Sequence, residues 1–257
     1  MFKQLIGNSA ILPMNRQRSL LILFLLGSAM AFSAHSPPDT PPNGRIMQSL
    51  KDIRSIALRA KPPIEIGHFQ PPDFVELIKL DPTIALNMLY ATENNFLGAA
   101  VYSDARAFLQ RPVAEAVVRV QHALKKQGYG LLVYDAYRPW YVTKIFWDMT
   151  TQEQHKFVAN PTEGSRHNRG AAVDLTLIDL ETGNAVAMPS DYDEFTERAY
   201  PSYNGGTGES RRLRDLLQKV MAAEGFSVYP TEWWHFDHAS WKTYKIENIP
   251  PEKIVTP

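Results

Sequence analysis

Two short segments carry the residue types that could do chemistry: Ser165-Arg166-His167-Asn168-Arg169-Gly170-Ala171-Ala172-Val173-Asp174 and Glu232-Trp233-Trp234-His235. Together they supply two imidazoles, a carboxylate able to bind a metal and a second carboxylate to spare. That is the inventory of a catalytic zinc site: three protein ligands, an open position for water and a general base beside it. His167 sits in a polar, Gly-bounded loop and Asp174 on the strand that follows, so the two can converge on one ion. Taken alone, they suit a solvated loop histidine and an ordinary strand aspartate equally well. On the last strand, Trp233, His235 and Asp237 are expected to share one face. Glu232 stands at the strand mouth, an odd number of residues from His235. That spacing places it beside a metal ligand rather than among the ligands, where it suits a water-activating base. Arg138 could donate to an oxyanion through its fixed fork of N–H groups, or could form a surface ion pair at a helix start.

The elements that must position these groups are legible in the apolar spacing. Ile46, Leu50, Ile53 and Ala57 predict a helix over residues 45–60, stopped by Lys61-Pro62-Pro63. Pro112 opens a helix running to Gln127, with Val113, Val117, Val120 and Leu124 on one face. Gly130 to Tyr137 is a continuous apolar strand of the kind buried on both faces, and Pro139 starts a helix carrying Trp140, Ile145, Phe146 and Trp147. Ala171 to Ile178 alternates, with Val173, Leu175 and Leu177 on one face and Asp174 and Thr176 on the other. A helix over Arg211 to Glu224 ends at Gly225. The strand Phe226 to Tyr229 then turns through Pro230-Thr231 into a last strand, Trp233 to Asp237. The fold class expected is α+β: one compact domain, with a small antiparallel sheet flanked by helices and the zinc site at the sheet.

Composition narrows the function. Lysine plus arginine and aspartate plus glutamate each number 27, and no basic block stands out, which argues against a nucleic-acid partner. The absence of cysteine excludes disulfides, thiol nucleophiles and thiolate metal sites, so any zinc must be held by histidine and carboxylate. Arg16 and Arg18 precede the apolar run Leu20 to Leu26 and the small-residue site Ala29-Met30-Ala31. This reads as a signal peptide over residues 1–31, cleaved after Ala31, because the run is shorter than the roughly 20 residues of a membrane span. Ser36 to Gly44 is rich in proline and reads as a linker, so residues 32–63 form a linker and an extra helix ahead of a catalytic domain at 64–257.

At this point the sequence resembles the zinc-dependent D-alanyl-D-alanine dipeptidases of the VanX type, within the wider family of zinc D,D-peptidases. The matching segments are Tyr90 to Phe96, Gly128 to Leu132, Asp135 to Pro139, Ser165 to Leu177, Tyr192 to Phe195, Arg211 to Leu213 and Glu232 to Phe236, in the family's order. Ala136 stands where the family often has glycine. The resemblance implies one zinc ion per chain held by His167, Asp174 and His235, with Glu232 as the base that activates the zinc-bound water and later protonates the leaving amine. It implies Arg138 as the transition-state arginine, Tyr90 and Asp193 as the groups that bind the substrate ammonium, and Ser165 as a carboxylate contact. Asp237 is read as a supporting partner near the ligand strand and His238 as surface.

The expected protein is therefore an exported metallopeptidase that hydrolyses the small molecule D-Ala-D-Ala. It would be periplasmic in a Gram-negative source and free of a stable membrane anchor once the signal is cleaved. A D,D-carboxypeptidase or endopeptidase acting on peptidoglycan stems would need a pocket open at the amino end. A non-catalytic, zinc-stabilised wall-binding module would have no need of Glu232 or Arg138.

Overall fold

A computed structural model describes residues 42–255; the expected signal peptide, and the linker up to residue 41, lie outside the described residues. In chain order the elements are α1 (Pro42–Arg59), β1 (Phe74–Glu76), α2 (Leu77–Leu80), β2 (Ala85–Leu86), β3 (Phe108–Gln110), α3 (Arg111–Lys125) and β4 (Tyr129–Asp135). They continue with α4 (Trp140–Met149), β5 (Ala172–Asp179), α5 (Gly208–Ala223), β6 (Phe226–Tyr229) and β7 (Glu232–His238). The result is a mixed α+β domain. Among the described residues, no helix is long and apolar enough to cross a membrane.

Strand β5 is the centre of a five-stranded sheet ordered β2-β4-β5-β7-β6. Its alternation is realised as expected, yet both faces are buried. Val173, Leu175 and Leu177 are enclosed on one side, and Asp174 and Thr176 are enclosed on the other. The helices α3 and α5 pack on each other and against the sheet, burying Val113, Val117, Val120, Leu124, Leu213, Leu217 and Met221. Gln121, polar and fully buried on the apolar side of α3, accepts the Leu131 N–H at 2.7 Å and donates to the Thr83 carbonyl at 3.0 Å. It thereby satisfies itself and ties α3 to β4.

The sheet differs from the expected antiparallel one at an edge. β2 pairs with β4 in parallel, Ala85 opposite Leu132 and Leu86 opposite Val133. The chain passes through β3 and α3 between them and so returns in the same direction. A second, two-stranded sheet joins β1 and β3.

Element ends moved for local reasons. α5 starts at Gly208 rather than Arg211, because the Thr207 hydroxyl accepts the Ser210 N–H at 3.0 Å and caps the helix three residues earlier. β4 stops at Asp135 rather than Tyr137, since the Asp135 carboxylate takes the Ala136 N–H at 2.9 Å and bends the chain out of the ladder. α1 begins at Pro42, inside the expected linker; proline is tolerated in a first helical turn. α1 packs along α4, with Leu50 and Ala57 in the core.

Candidate active site

Sheet register builds the floor of the site. Asp135 on β4 lies opposite Asp174 on β5, which in turn lies opposite His235 on β7. His167 arrives from the 3-10 turn His167–Arg169 just ahead of β5. That turn is closed by Gly170 at φ 63°, where an added Cβ would fall 2.5 Å from the Phe74 ring. Buried Asn168 fixes the turn from within: its Oδ1 accepts the Ser165 N–H at 2.7 Å, and its amide donates to the Arg138 carbonyl and the Thr143 hydroxyl, each at 2.8 Å.

His167 Nε2, His235 Nδ1 and Asp174 Oδ1 face one another at 3.0, 3.0 and 3.2 Å. Ligands of a tetrahedral ion with bonds of about 2.0–2.2 Å would stand about 3.3–3.6 Å apart, so this buried donor set needs to open only slightly to hold a single zinc-sized cation. The far nitrogens agree. His167 Nδ1 donates to the Ala136 carbonyl at 2.6 Å, and His235 Nε2 donates to Asp237 Oδ1 at 2.9 Å. In the neutral ring each bond places the proton away from the cluster and leaves a lone pair pointing into it. Burial opposes the charge on Asp174, but the His167 and His235 imidazoles outweigh it and hold the carboxyl well below the usual range. Burial likewise opposes a charged His235, but Asp237 and Asp174 prevail and raise its pKa.

Glu232 lies beside the donor set and outside it, its Oε2 3.7 Å from His235 Nδ1. Strict alternation would send it to the opposite face. The hairpin prevents this, because one step along β6, from Val228 to Tyr229, corresponds to a jump from Phe236 to Glu232 along β7. Trp233, Trp234 and His235 bulge without β6 partners, and the bulge aims Glu232 back at His235. The same irregularity corrects the expected face. Trp234, not Trp233, lines the pocket with His235, while the Trp233 indole donates to the Ser190 hydroxyl at 2.9 Å. Burial pushes the Glu232 carboxyl up to about 7, against the opposing pull of His235.

Arg138 is buried, not a surface ion pair. Its Nε and one Nη each lie 2.8 Å from Asp135 Oδ2, the same Nη lies 3.6 Å from Asp174, and the guanidinium rests 4.6 Å from the Phe146 ring centroid. Three neighbours are given no role by the sequence. Asp135 orients the arginine, Tyr102 donates to Asp135 Oδ1 at 2.8 Å, and Tyr192 donates to Asp174 Oδ2 at 2.9 Å. Tyr192 stands next to Asp193 in a segment already singled out, but nothing local tied it to Asp174.

At one end of the pocket the Tyr90 hydroxyl donates to Asp193 Oδ2 at 2.7 Å. Asp193 adopts φ 57°, the one left-handed non-glycine backbone among the described residues. Burial raises its carboxyl well above the usual range although Tyr90 pulls the other way. The rings of Phe96, Phe146 and Phe195 pack beside this end, with Phe96 5.1 Å from Phe146 and 5.3 Å from Phe195. Ser165 is buried, its hydroxyl accepting the His167 N–H at 3.2 Å. Tyr90, Arg138, Ser165, His167, Asp174, Asp193, Glu232 and His235 all line this single pocket.

Comparison with known proteins gives the same direction. A family model described as D-ala-D-ala dipeptidase matches residues 71–247, a span that contains every one of those pocket residues. The D-alanyl-D-alanine dipeptidase of Escherichia coli (strain K12) is 33% identical over 174 residues, covering 68% of this chain and 89% of the relative. The D-alanyl-D-alanine dipeptidases of Enterococcus faecium and Enterococcus faecalis (strain ATCC 700802 / V583) are 32% and 34% identical, each over 57% of this chain and 82% of the relative.

Proposed function

The chain belongs to the D-Ala-D-Ala dipeptidase family of M15 peptidases, and we propose that it is an exported zinc enzyme that hydrolyses free D-Ala-D-Ala to two molecules of D-alanine. The observation that carries this reading is the combination of a convergent His167–Asp174–His235 donor set with a buried carboxylate, Glu232, held beside it and outside it. A zinc ion there would supply Lewis acidity to the scissile carbonyl and to a water.

The protein groups supply the rest. Glu232, held beside the donor set, takes a proton from the attacking water and returns it to the amine as the C–N bond breaks. Arg138 is held by Asp135 through Nε and one Nη, and its remaining Nη is the donor for the oxyanion. Asp193 and Tyr90 bind the substrate ammonium, and Ser165 contacts its carboxylate.

The aromatic-walled end at Asp193, whose carboxyl can pair with an ammonium, favours a free amine over an acylated one, which argues against trimming of peptidoglycan stems. A wall-binding module without catalysis would leave the placement of Glu232 and Arg138 unexplained. Export rests on the charged and apolar pattern of residues 16–31 and makes wall turnover a natural source of the dipeptide.

The test is D-alanine release from D-Ala-D-Ala and from N-acetyl-D-Ala-D-Ala, with and without chelator, using protein beginning at Phe32. Chelator-sensitive cleavage of the free dipeptide alone supports the proposal. Cleavage of the acetylated form moves the enzyme to stem trimming, and cleavage of neither leaves the binding module.

A further inference from the structure

Three arginines surround the His167 turn, and two of them are already engaged, Arg138 by buried carboxylates and its proposed oxyanion role, Arg169 by the protein alone. Arg138 is neutralised by Asp135 and Asp174. Arg169 is clasped by the Glu65 carboxylate and the Tyr244 carbonyl. Arg166 is different. Its nearest approach to a carboxylate is from Nε to Asp237 Oδ2 at 3.5 Å, which is too long for a good hydrogen bond. Its two Nη groups make no hydrogen bond within the described residues. The guanidinium is braced 4.8 Å from the Trp241 ring centroid and 6.0 Å from that of Tyr229, and the side chain remains 37% exposed where it lines the pocket.

The pocket also presents the carboxyl groups of Asp174, Asp193 and Glu232, and beside them Arg138, His167 and His235. With Arg138 assigned to the oxyanion and the two imidazoles to the metal, Arg166 is the remaining cation of the pocket for the carboxylate of a dipeptide whose ammonium sits at Asp193. Resting on the dipeptidase reading, we propose that Arg166 binds the substrate's terminal carboxylate through its free Nη fork. The fork matches a carboxylate's two oxygens, and the adjoining Ser165 hydroxyl, which already accepts the His167 N–H, keeps its own proton to donate. Arg166 is thus a specificity residue for dipeptides with a free carboxyl end.

The experiment compares zinc-loaded wild type with Arg166→Gln and Arg166→Lys on D-Ala-D-Ala and on its C-terminal amide, with zinc content measured in parallel. A charge-assisted contact at a half-exposed site is worth about a tenfold factor. Arg166→Gln should therefore raise KM for the acid about tenfold and collapse the acid-over-amide preference by the same factor. Zinc content and kcat on the acid should change little, and Arg166→Lys should restore part of the preference. An unchanged KM, or equal losses on acid and amide with falling zinc, overturns the assignment; the latter would mean that Arg166 acts only by bracing Asp237 behind His235. If wild type cleaves neither compound, the dipeptidase reading fails separately. Calorimetric binding of D-Ala-D-Ala then decides for Arg166: about tenfold weaker binding in Arg166→Gln supports it, and equal or absent binding in both proteins overturns it.

Discussion

Asp135 holds Arg138 through two contacts of 2.8 Å, with both groups enclosed by the protein. The pair fixes the guanidinium over Phe146 and beside Asp174, so the arginine reaches the pocket already oriented. Removing one partner of a buried pair leaves the other charge uncompensated, at a cost of about 3–5 kcal/mol. Asp135→Ala should lower the melting temperature strongly and reduce kcat. Thermal denaturation of the zinc-loaded protein checks this, and an unchanged melting temperature would show that the pair does not orient Arg138.

Glu232→Gln should retain zinc and lose turnover by about 10²–10⁴-fold, the usual contribution of a positioned base. Metal analysis beside steady-state kinetics measures both, and normal turnover would refute the role. The base works only when ionised. Burial sets its pKa to about 7 in the metal-free protein, and a bound dication pulls it lower. The acid limb of kcat/KM should therefore lie below that value in the zinc enzyme and disappear from whatever residual activity the variant keeps.

Without metal, the donor set should bind protons instead. The pKa of His235 is raised above its ordinary 6.5, so its contribution to stability is complete below that pH and is lost as pH rises through the raised value. Asp174 is depressed from 3.8, so its contribution is present above that value and is lost on acidification. Chelated protein should consequently be most stable in mildly acidic buffer. Zinc must displace the His235 proton, so its affinity should rise with pH and its binding should release protons, which calorimetry in buffers of different ionisation enthalpy would detect.

Asp193→Ala should raise KM for D-Ala-D-Ala by tenfold or more while zinc content holds if, as proposed, the lost contact is to the substrate amine. A fall in zinc would reassign the residue to metal support. Because the native carboxyl titrates well above its ordinary range, ammonium binding must displace a proton in acidic solution. KM of the wild type should therefore fall as pH rises from the acid side, and this dependence should vanish in the variant.

Gly170→Ala places a Cβ against Phe74 at a left-handed φ of 63°. Strain and contact together should destabilise the protein by about 1 kcal/mol or more and shift the His167 turn. Denaturant unfolding reads the first effect and zinc affinity the second; if neither moves, the turn tolerates a side chain.

By itself the sequence picked out the candidate groups. His167, Asp174, Glu232 and His235 stood out because two short segments of a cysteine-free chain together hold the residue types of a metal site, and because the resemblance to the dipeptidases implies a role for each. The alternation of β5 and the apolar faces of α3 and α5 were readable because burial on one face imposes a local period. Tertiary structure decided what local periods cannot encode. The parallel edge β2 spans two residues, too short to show any pattern. The Tyr90–Asp193 contact joins positions 103 residues apart, and the Tyr192–Asp174 and Tyr102–Asp135 contacts likewise form only when separate segments meet. The β7 bulge broke the very alternation by which the strand was read, turning Trp234 rather than Trp233 into the pocket and bringing Glu232 to His235. Bulges and long-range pairs arise from how strands dock, and docking is a property of the packed chain rather than of any window within it.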